Sequence, residues 1–196
     1  MKTFLLLSLP LFFAGCISPH TSPEPKYYQL RKSEISERTE KDFSIPFLVI
    51  GPVDLNPYLD HPRFALRIGQ HEIQYQEYQR WAEPLELNIS SVLAANLRQY
   101  FQTTVISPIA PKLLLGKEQG RVMILINRMD VDSEGNAELE VQWAMLNRDG
   151  KENSIIHESL YKSIAQDTGM LARVEALNDC ITAFSLDLAK GIENEL

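Results

Sequence analysis

One stretch of the chain decides the fold: Arg121-Val122-Met123-Ile124-Leu125-Ile126-Asn127-Arg128-Met129-Asp130-Val131. Apolar side chains occupy both the even and the odd positions between 122 and 126. Because successive side chains of a strand point to opposite faces of its sheet, this segment is apolar on both faces. That pattern predicts a strand in the middle of a sheet.

A turn and two more strands are predicted after this segment. Residues 132–136 read Asp-Ser-Glu-Gly-Asn, and four of the five are turn formers. Residues 137–146 alternate between apolar and polar side chains, which predicts a strand with one buried face and one mostly wet face. The Asp-Gly pair within 147–150 favours a tight turn, and residues 154–163 supply the third strand of a meander.

Shorter strands are predicted on the N-terminal side of this meander. Residues 43–53 hold an apolar run, too short for a helix and bracketed by proline and glycine, which indicates a buried strand. Alternating apolar side chains at 63–68 and 72–76 flank Gly69-Gln70, a pattern typical of a hairpin. The remaining segments are strands at 27–30 and 103–106 and a charged loop at 31–41.

Two segments carry apolar residues at the spacing of an amphipathic helix. In the first, 84–101, Pro84 suits the first helical position because its missing N–H costs nothing there. The second is 170–190, and we expect Gly191 to fray its end. The order strands, helix, strands, helix predicts a mixed α and β (α/β) fold, with one mixed sheet covered by two long amphipathic helices.

The composition excludes several classes of protein. With 44% hydrophobic and 23% charged residues, the chain is neither disordered nor fibrous as a whole. Its 19 Lys and Arg against 26 Asp and Glu give a net charge of −7, so we expect no nucleic acid among its partners. Two cysteines, Cys16 and Cys180, are too few for a disulfide framework or a thiolate zinc site.

The N-terminus has the layout of an export signal. Lys2 precedes an apolar run at 4–13, which is shorter than the roughly 20 residues that a membrane-spanning helix needs. Phe13-Ala14-Gly15-Cys16 resembles a bacterial lipobox, in which the peptide is cut before the cysteine and acyl chains such as palmitate are added to it. We expect a signal peptide at 1–15 and a lipidated Cys16. The alternative is an ordinary secretory peptide with a cysteine near its cleavage site.

A tether is predicted between this anchor and the domain. Residues 16–26 are rich in Pro and Ser and have no apolar period, which predicts an extended, flexible linker ahead of a domain at 27–196. Ile17, and not Asp, follows Cys16. By resemblance to lipoproteins of diderm bacteria, this favours sorting to the outer membrane, with the domain on the periplasmic face.

No pattern of residues points to catalysis. The sequence has no Gly-x-Ser-x-Gly, Walker, His-Glu-x-x-His or Gly-x-Gly-x-x-Gly motif, so we expect no enzyme, no catalytic residue and no cofactor. His61 and His71 could approach each other across the predicted hairpin, with Glu72 nearby. The spacing positions no third ligand, so we expect surface histidines and no metal. Cys180 lies beside the apolar stripe of the second helix and is expected to be a buried thiol.

Two motifs carry a resemblance to a known family. Members have a Gly-Pro-Val strand followed by Leu-x-x-Tyr-Leu-Asp-Arg-Pro, and then Trp-Ala-Glu-Pro-Leu at the start of a helix. Here His61 stands where the family usually has Arg. The chain resembles the PqiC-like ABC-type transport auxiliary lipoproteins, the lipoprotein subunits of paraquat-inducible (Pqi) transport systems, over nearly its whole length. The matching residues are Tyr27, Tyr28, Leu30, Gly51-Pro52-Val53, Leu55, Tyr58-Leu59-Asp60, Pro62, Trp81-Ala82-Glu83-Pro84-Leu85 and Asn96-Leu97.

The resemblance implies a role in lipid transport. The family works with MCE (mammalian cell entry) proteins, which form lipid tunnels between the inner and outer membranes. The lipoprotein would dock the tunnel from the outer-membrane side and so support envelope integrity. The implied partners are an MCE-domain protein with its membrane transporter components, and outer-membrane lipid through the acyl anchor. A ring-shaped tunnel would also suit a ring-shaped homo-oligomer.

The motif residues are the candidate partner-binding surface. In the alternative they are architectural, with Trp81 in the core, Pro57 and Pro62 setting turns and Asp60 acting as a local cap. Two other functions stay open. One is a lipid-binding carrier, which needs an apolar pocket; the other is an assembly lipoprotein of another envelope machine. The candidate residues are Tyr58, Leu59, Asp60, His61, Arg63, Trp81 and Glu83.

Overall fold

The structure of the protein, a computed structural model, covers most of the predicted domain. The predicted signal peptide, Cys16 and residues 17–21 of the tether lie outside the described residues, as does the predicted turn beyond Asn147. The described residues are 22–39, 47–102, 105–108, 120–147 and 155–195.

Each predicted strand and helix is present in this part of the chain, with bounds that differ by a few residues. The strands are β1 (Lys26–Tyr28), β2 (Phe47–Leu55), β3 (Arg63–Arg67), β4 (Ile73–Trp81), β5 (Val105–Ser107), β6 (Gly120–Asp132), β7 (Asn136–Asn147) and β8 (His157–Ile164). The helices are α1 (Leu85–Tyr100) and α2 (Met170–Glu195). The described residues form these two helices, and neither is long and apolar enough to cross a membrane.

The eight strands form one mixed sheet with β6 at its centre. On one side β6 pairs with β7 in antiparallel register, and β7 pairs in turn with β8. On its other side β6 pairs in parallel first with β2, from Leu48 opposite Gly120, and then with β3, where Leu66 lies opposite Val131. Strands β4 and β1 continue the sheet beyond β3, and β5 continues it beyond β2. The central position predicted for this strand, and the predicted meander, are confirmed.

Two long helices cover the sheet, as predicted, and both lie on the same face of it. They contact each other as well as the strands beneath them. Side chains from the inner face of the sheet and from both helices form the core, including the fully buried Phe64, Ile126, Leu139 and Phe184. Met123 and Leu125, which made β6 apolar on both faces, lie on the opposite face and are exposed.

The ends of the helices differ from the predictions. Pro84 lies just before the first helical residue, since its ψ of 128° is that of an extended backbone. Its carbonyl accepts hydrogen bonds from the N–H groups of Leu87 and Asn88. Gly191 was expected to fray the second helix, and this prediction is wrong, since α2 continues to Glu195. The glycine lets the helix lie directly against Trp143, where a Cβ atom would stand 2.5 Å from the indole ring.

The segment predicted as a charged loop is irregular over 31–39, and it is tied to both helices. We call residues 30–39 the strap. Leu30 and Ile35 of the strap are buried against the helices. Its backbone bonds to side chains instead of to a neighbouring strand: Arg31 N–H donates to Asn178 Oδ1 of α2 at 2.8 Å, and Ser33 N–H donates to Asn96 Oδ1 of α1 at 3.1 Å. The strap therefore joins the two helices.

Candidate functional site

The first motif forms the loop between β2 and β3. The loop turns back sharply, since Leu59 N–H donates to the carbonyl of Asn56 and His61 N–H donates to the carbonyl of Leu59, each at 2.8 Å. The Asn56 N–H donates to the carbonyl of Ile126 at 2.9 Å, which attaches the start of the loop to β6. Leu59 is buried in the core, whereas Asp60 is exposed. The loop is thus held in the core by the apolar side chain of Leu59 and exposes the polar side chain of Asp60.

The second motif forms the junction between β4 and α1, and it lies against the first. Trp81 N–H donates to the carbonyl of Pro62 at 2.8 Å, and the N–H of Ala82 donates to the carbonyl of Tyr28 at the same distance. The Trp81 ring is buried and lies 5.3 Å from the Phe64 ring, between centroids. These bonds hold the junction next to the β2–β3 loop, although the two motifs are separated in the sequence by the β3–β4 hairpin.

The two motifs line one surface cleft of about 320 Å³, which we call the motif cleft. Its apolar floor includes the buried side chains of Leu59, Trp81 and Leu85. Carboxylates surround that floor: Asp60 and Glu83 are exposed, and Glu86 on the first turn of α1 is half-buried. An apolar floor with an acidic rim suits an apolar side chain next to a cationic one. The remaining lining residues are His61, Pro62, Ala82 and Pro84.

Glu83 also connects the cleft to the strap. Its Oε1 accepts a hydrogen bond of 2.9 Å from Asn88 Nδ2. The same Asn88 side chain pairs with the backbone of Leu30, accepting the N–H at 2.7 Å and donating to the carbonyl at 3.2 Å. The rim of the cleft and the N-terminal end of the strap therefore share one buried amide.

His61 and Arg63 lie at the edge of this site. The His61 ring stacks on Tyr75 with 4.3 Å between centroids, and its Nδ1 accepts from the Arg63 N–H at 3.0 Å. The Arg63 guanidinium forms an exposed ion pair of 3.0 Å with Glu77. His71 is exposed at the hairpin turn. Within the described ranges, no group of three His, Cys, Asp or Glu side chains is placed to hold a metal ion.

Tyr58 points away from the cleft, into a buried charge cluster that the sequence analysis missed. Its hydroxyl donates to Asp130 Oδ2 at 2.9 Å. Asp130 Oδ1 also accepts from Arg67 Nε at 3.0 Å and from Arg128 Nε at 3.1 Å. The Asp130 side chain is 1% exposed. The only signal in the sequence was an acidic residue between two apolar ones, Met129 and Val131, in a strand that otherwise reads as core.

The cluster perturbs the pKa of both of its acidic members. Burial by itself would raise the pKa of Asp130, but hydrogen bonds from Arg67 and Tyr58, with the charge of Arg128, hold it below its ordinary value. Burial and the adjacent Asp130 charge raise the pKa of Tyr58 well above its ordinary value. Asp130 is thus a charged residue in the protein interior, and it fixes the loop that carries Leu59 and Asp60.

The predicted buried thiol is confirmed. Cys180 is 1% exposed, and its Sγ lies 3.9 Å from the carbonyl oxygen of Ala137. Burial raises the pKa of this thiol to about 12, so it is protonated at neutral pH and a poor nucleophile.

The chain belongs to the family of ABC-type transport auxiliary lipoprotein components, because the family model matches residues 28–189. The match includes both motifs, the strap and all but the ends of the described domain. It confirms the family resemblance of the sequence. No curated protein matches the chain significantly.

Two of the solved structures that share this fold cover most of the chain. One, described as the crystal structure of an uncharacterized protein, has a TM-score of 0.72 and 19% sequence identity, with 87% of this chain and 99% of that chain covered. The other is protein XCC0632 from Xanthomonas campestris, of the DUF330 family, with a TM-score of 0.69 and 16% identity over 84% of this chain and 92% of that one. At these identities the likeness shows the fold alone.

Proposed function

We propose that the domain is the docking subunit of an MCE-type, Pqi-like lipid transport system. In this proposal it is anchored in the outer membrane through acylated Cys16, faces the periplasm and supports envelope integrity. One observation carries the proposal: two motifs that are separated in the sequence converge on a single cleft with an apolar floor and exposed carboxylates. Membership of a transport auxiliary family supports a transporter as the machine to which such a surface would dock.

The position of the motif cleft agrees with an anchor at the N-terminus. A tether of ten residues in an extended conformation reaches about 30 Å at ~3.1 Å per residue. β1, which directly follows the tether, pairs with β4 so that Tyr28 lies opposite Trp81. The chain therefore enters the domain beside the motif cleft, so the length of the tether sets how far from the membrane the cleft can meet a partner.

The packing of the interior favours docking over lipid carriage. A carrier needs an apolar cavity that can take acyl chains. Here the space between the sheet and the helices is occupied by large side chains such as Phe64, Phe184 and Met145, each at most 2% exposed. The motif cleft of about 320 Å³ opens at the surface and has an acidic rim, which is unfavourable for a lipid with an anionic headgroup.

Charge reversal at the rim tests the proposal. We would purify the tagged full-length lipoprotein from membranes and identify the proteins that accompany it. The expected result is an MCE-domain protein with the wild type and its loss with Asp60→Lys. Glu72→Lys is the matched control. Glu72 is exposed in the hairpin turn, away from the cleft, and its replacement by lysine makes the same change in charge.

Two results would count against the proposal. If the MCE-domain protein remains with Asp60→Lys, the motif cleft is not the contact surface. If the wild type brings down assembly factors of another envelope machine and no MCE-domain protein, the transport role itself is wrong.

A further inference from the structure

Three side chains form a row across β1, β4 and β3, next to the point where the tether enters the domain. Arg80 of β4 lies opposite Tyr27 of β1 on one side and opposite Arg63 of β3 on the other. Paired residues of adjacent strands project from the same face of a sheet. The next residue, Trp81, is buried in the core, so the row projects from the face opposite the helices. We call Tyr27, Arg80 and Arg63 the arginine row.

Arg80 is the member of the row whose hydrogen bonding is incomplete. Its Nε is buried, and no acceptor among the described residues forms a hydrogen bond with it. The ion pairs within the described ranges do not include Arg80 either. A buried charged donor without an acceptor is unfavourable. An acceptor oxygen from outside the domain would therefore be stabilised at this guanidinium group.

The pairing of Arg80 with Arg63 also favours an anion. Like charges directly opposite each other on paired strands are destabilising. Glu77 forms an exposed ion pair of 3.0 Å with Arg63, and two cations with one carboxylate leave a net charge of +1. An anion bound at both guanidinium groups would offset their repulsion and give Arg80 its missing acceptor.

The Asp130 cluster shows how this sheet accommodates two arginines when an anion is present. There, Asp130 Oδ1 accepts from Arg67 Nε at 3.0 Å and from Arg128 Nε at 3.1 Å. Asp130 is the only acidic residue that is buried within the described ranges. The arginine row therefore has two guanidinium groups like the cluster, but no buried carboxylate that serves Arg80.

We propose that the arginine row binds the phosphate of a phospholipid headgroup. A guanidinium group presents its N–H donors in a planar fork that matches phosphate oxygens, and the two opposed arginines offer two such forks. Tyr27, beside them, is 62% exposed. A tyrosine has an apolar ring and a polar tip, which suits the boundary between headgroups and acyl chains. This exposed ring favours a lipid over a free phosphate ion.

The site lies where a membrane anchor would bring it to lipid, and in this respect it rests on the proposed function. β1 begins at Lys26, directly after the tether, so Tyr27 is one of the first residues of the domain. The site does not depend on docking at the motif cleft. Trp81 lines the cleft, whereas Arg80 projects from the other face of the same strand, so lipid and protein partner have separate surfaces. Asp60→Lys should therefore not weaken lipid binding.

Native mass spectrometry of the full-length lipoprotein in detergent tests the site. The probe is dihexanoylphosphatidylglycerol, titrated against the wild type and two variants. Arg80→Gln should weaken its binding about tenfold, because the variant removes charge-assisted hydrogen bonds to phosphate. Arg31→Gln is the matched control and should bind the probe as the wild type does. Arg31 is exposed in the strap, and its N–H bonds to α2, on the helical side of the sheet.

Two further probes separate the parts of the lipid. Dihexanoylglycerol has the same acyl chains without the phosphate, and we expect it not to bind. Inorganic phosphate should bind more weakly than the lipid, because it has no apolar part to contact Tyr27. If inorganic phosphate competes as strongly as the lipid binds, the site is one for a free ion and the assignment to a lipid is wrong.

Thermal unfolding of the same proteins separates loss of binding from loss of folding. Without lipid, Arg80→Gln should unfold no earlier than the wild type, because it removes the repulsion with Arg63. The probe lipid should raise the unfolding midpoint of the wild type and of Arg31→Gln, but not that of Arg80→Gln. Equal lipid binding by Arg80→Gln and the wild type, an equal loss with Arg31→Gln, or earlier unfolding of lipid-free Arg80→Gln would each overturn the proposal.

Discussion

The side chain of Asn96 on α1 donates from Nδ2 to the hydroxyl of Ser185 on α2 at 2.9 Å, and neither residue is exposed by more than 1%. Asn96 Oδ1 also accepts from the N–H of Ser33 in the strap. Ser185 in turn donates to the carbonyl of Ile181 at 2.7 Å. One family-motif asparagine therefore joins both helices and the strap in a buried network, which gives that motif position a structural role.

Replacing this asparagine should destabilise the domain. Asn96→Ala leaves the Ser33 N–H without its acceptor and Ser185 without its donor in the interior, so we expect a loss of about 2–3 kcal/mol in the free energy of unfolding. Ser91→Ala is the matched control on the exposed side of α1 and should stay within about 0.5 kcal/mol. Urea unfolding followed by the fluorescence of the buried Trp81 and Trp143 measures both. Equal midpoints for the two variants would contradict the role of the network.

The Asp130 cluster should make stability depend on pH in acid. The pKa of Asp130 is lower in the folded state than its ordinary value of 3.8. Its contribution is therefore complete above about pH 4 and is lost as the pH falls through the lowered folded pKa. Asp130→Asn should cost about 3–5 kcal/mol at pH 7, because it leaves Arg67 and Arg128 without their shared carboxylate.

The difference between wild type and Asp130→Asn should shrink below about pH 4 in urea titrations. Burial by itself would raise the pKa of Asp132, but hydrogen bonds from Asn136 and neighbouring backbone N–H groups hold it below its ordinary value, so Asp132 should retain some acid dependence in both proteins. Asp60→Asn, at an exposed position, should change stability by no more than about 0.5 kcal/mol. A pH-independent difference would show that Asp130 is not the titrating group.

Gly191 should not tolerate a methyl group. Alanine normally stabilises a helix relative to glycine by about 1 kcal/mol. At this position the new Cβ would stand 2.5 Å from the Trp143 ring, so we expect Gly191→Ala to lose about 1–3 kcal/mol instead. Gly69→Ala, where nothing lies within 4 Å of the new atom, should be nearly neutral. A more stable Gly191→Ala would mean that α2 does not pack against Trp143 in this way.

The motif cleft should separate stability from partner binding. Trp81→Ala removes a buried indole and should cost about 3–5 kcal/mol. Asp60→Lys changes an exposed side chain and should leave the unfolding midpoint unchanged within about 0.5 kcal/mol, while partner recovery falls. If Asp60→Lys destabilises the domain as much as Trp81→Ala does, the loss of the partner reflects unfolding and is no evidence that Asp60 contacts the partner.

The pattern of apolar residues was sufficient to predict the strands, the helices and the central position of β6. Periodicity reports which face of an element is buried: residues 137–146 alternate strongly, and residues 122–126 form a continuous apolar run. Periodicity does not indicate which strands pair with each other in the sheet. Pairing of β6 with β2 in its first half and β3 in its second depends on contacts between distant parts of the chain, and no local spacing encodes them.

The same limit explains the missed features of the candidate site. Asp130 receives its partners from the β2–β3 loop, β3 and its own strand, and Arg31 meets Asn178 across 147 positions of sequence. The end of the second helix was predicted wrongly because Gly191 was judged by the low helix propensity of glycine. Its contact with Trp143 determines the structure there. The motif residues were found by family resemblance, and the fold divides them between the cleft and the core.

A photoactivatable crosslinking residue at the cleft rim would show directly whether the motif cleft contacts an MCE-domain protein. It would replace Glu83 in the full-length lipoprotein, with the same residue at Glu72 as the control, and intact cells would be irradiated before the envelope is solubilised. Docking through the motif cleft predicts a covalent adduct between position 83 and an MCE-domain protein, with none from position 72. An adduct from position 72 but not from position 83, or no MCE-domain protein at either position, would contradict docking through the motif cleft.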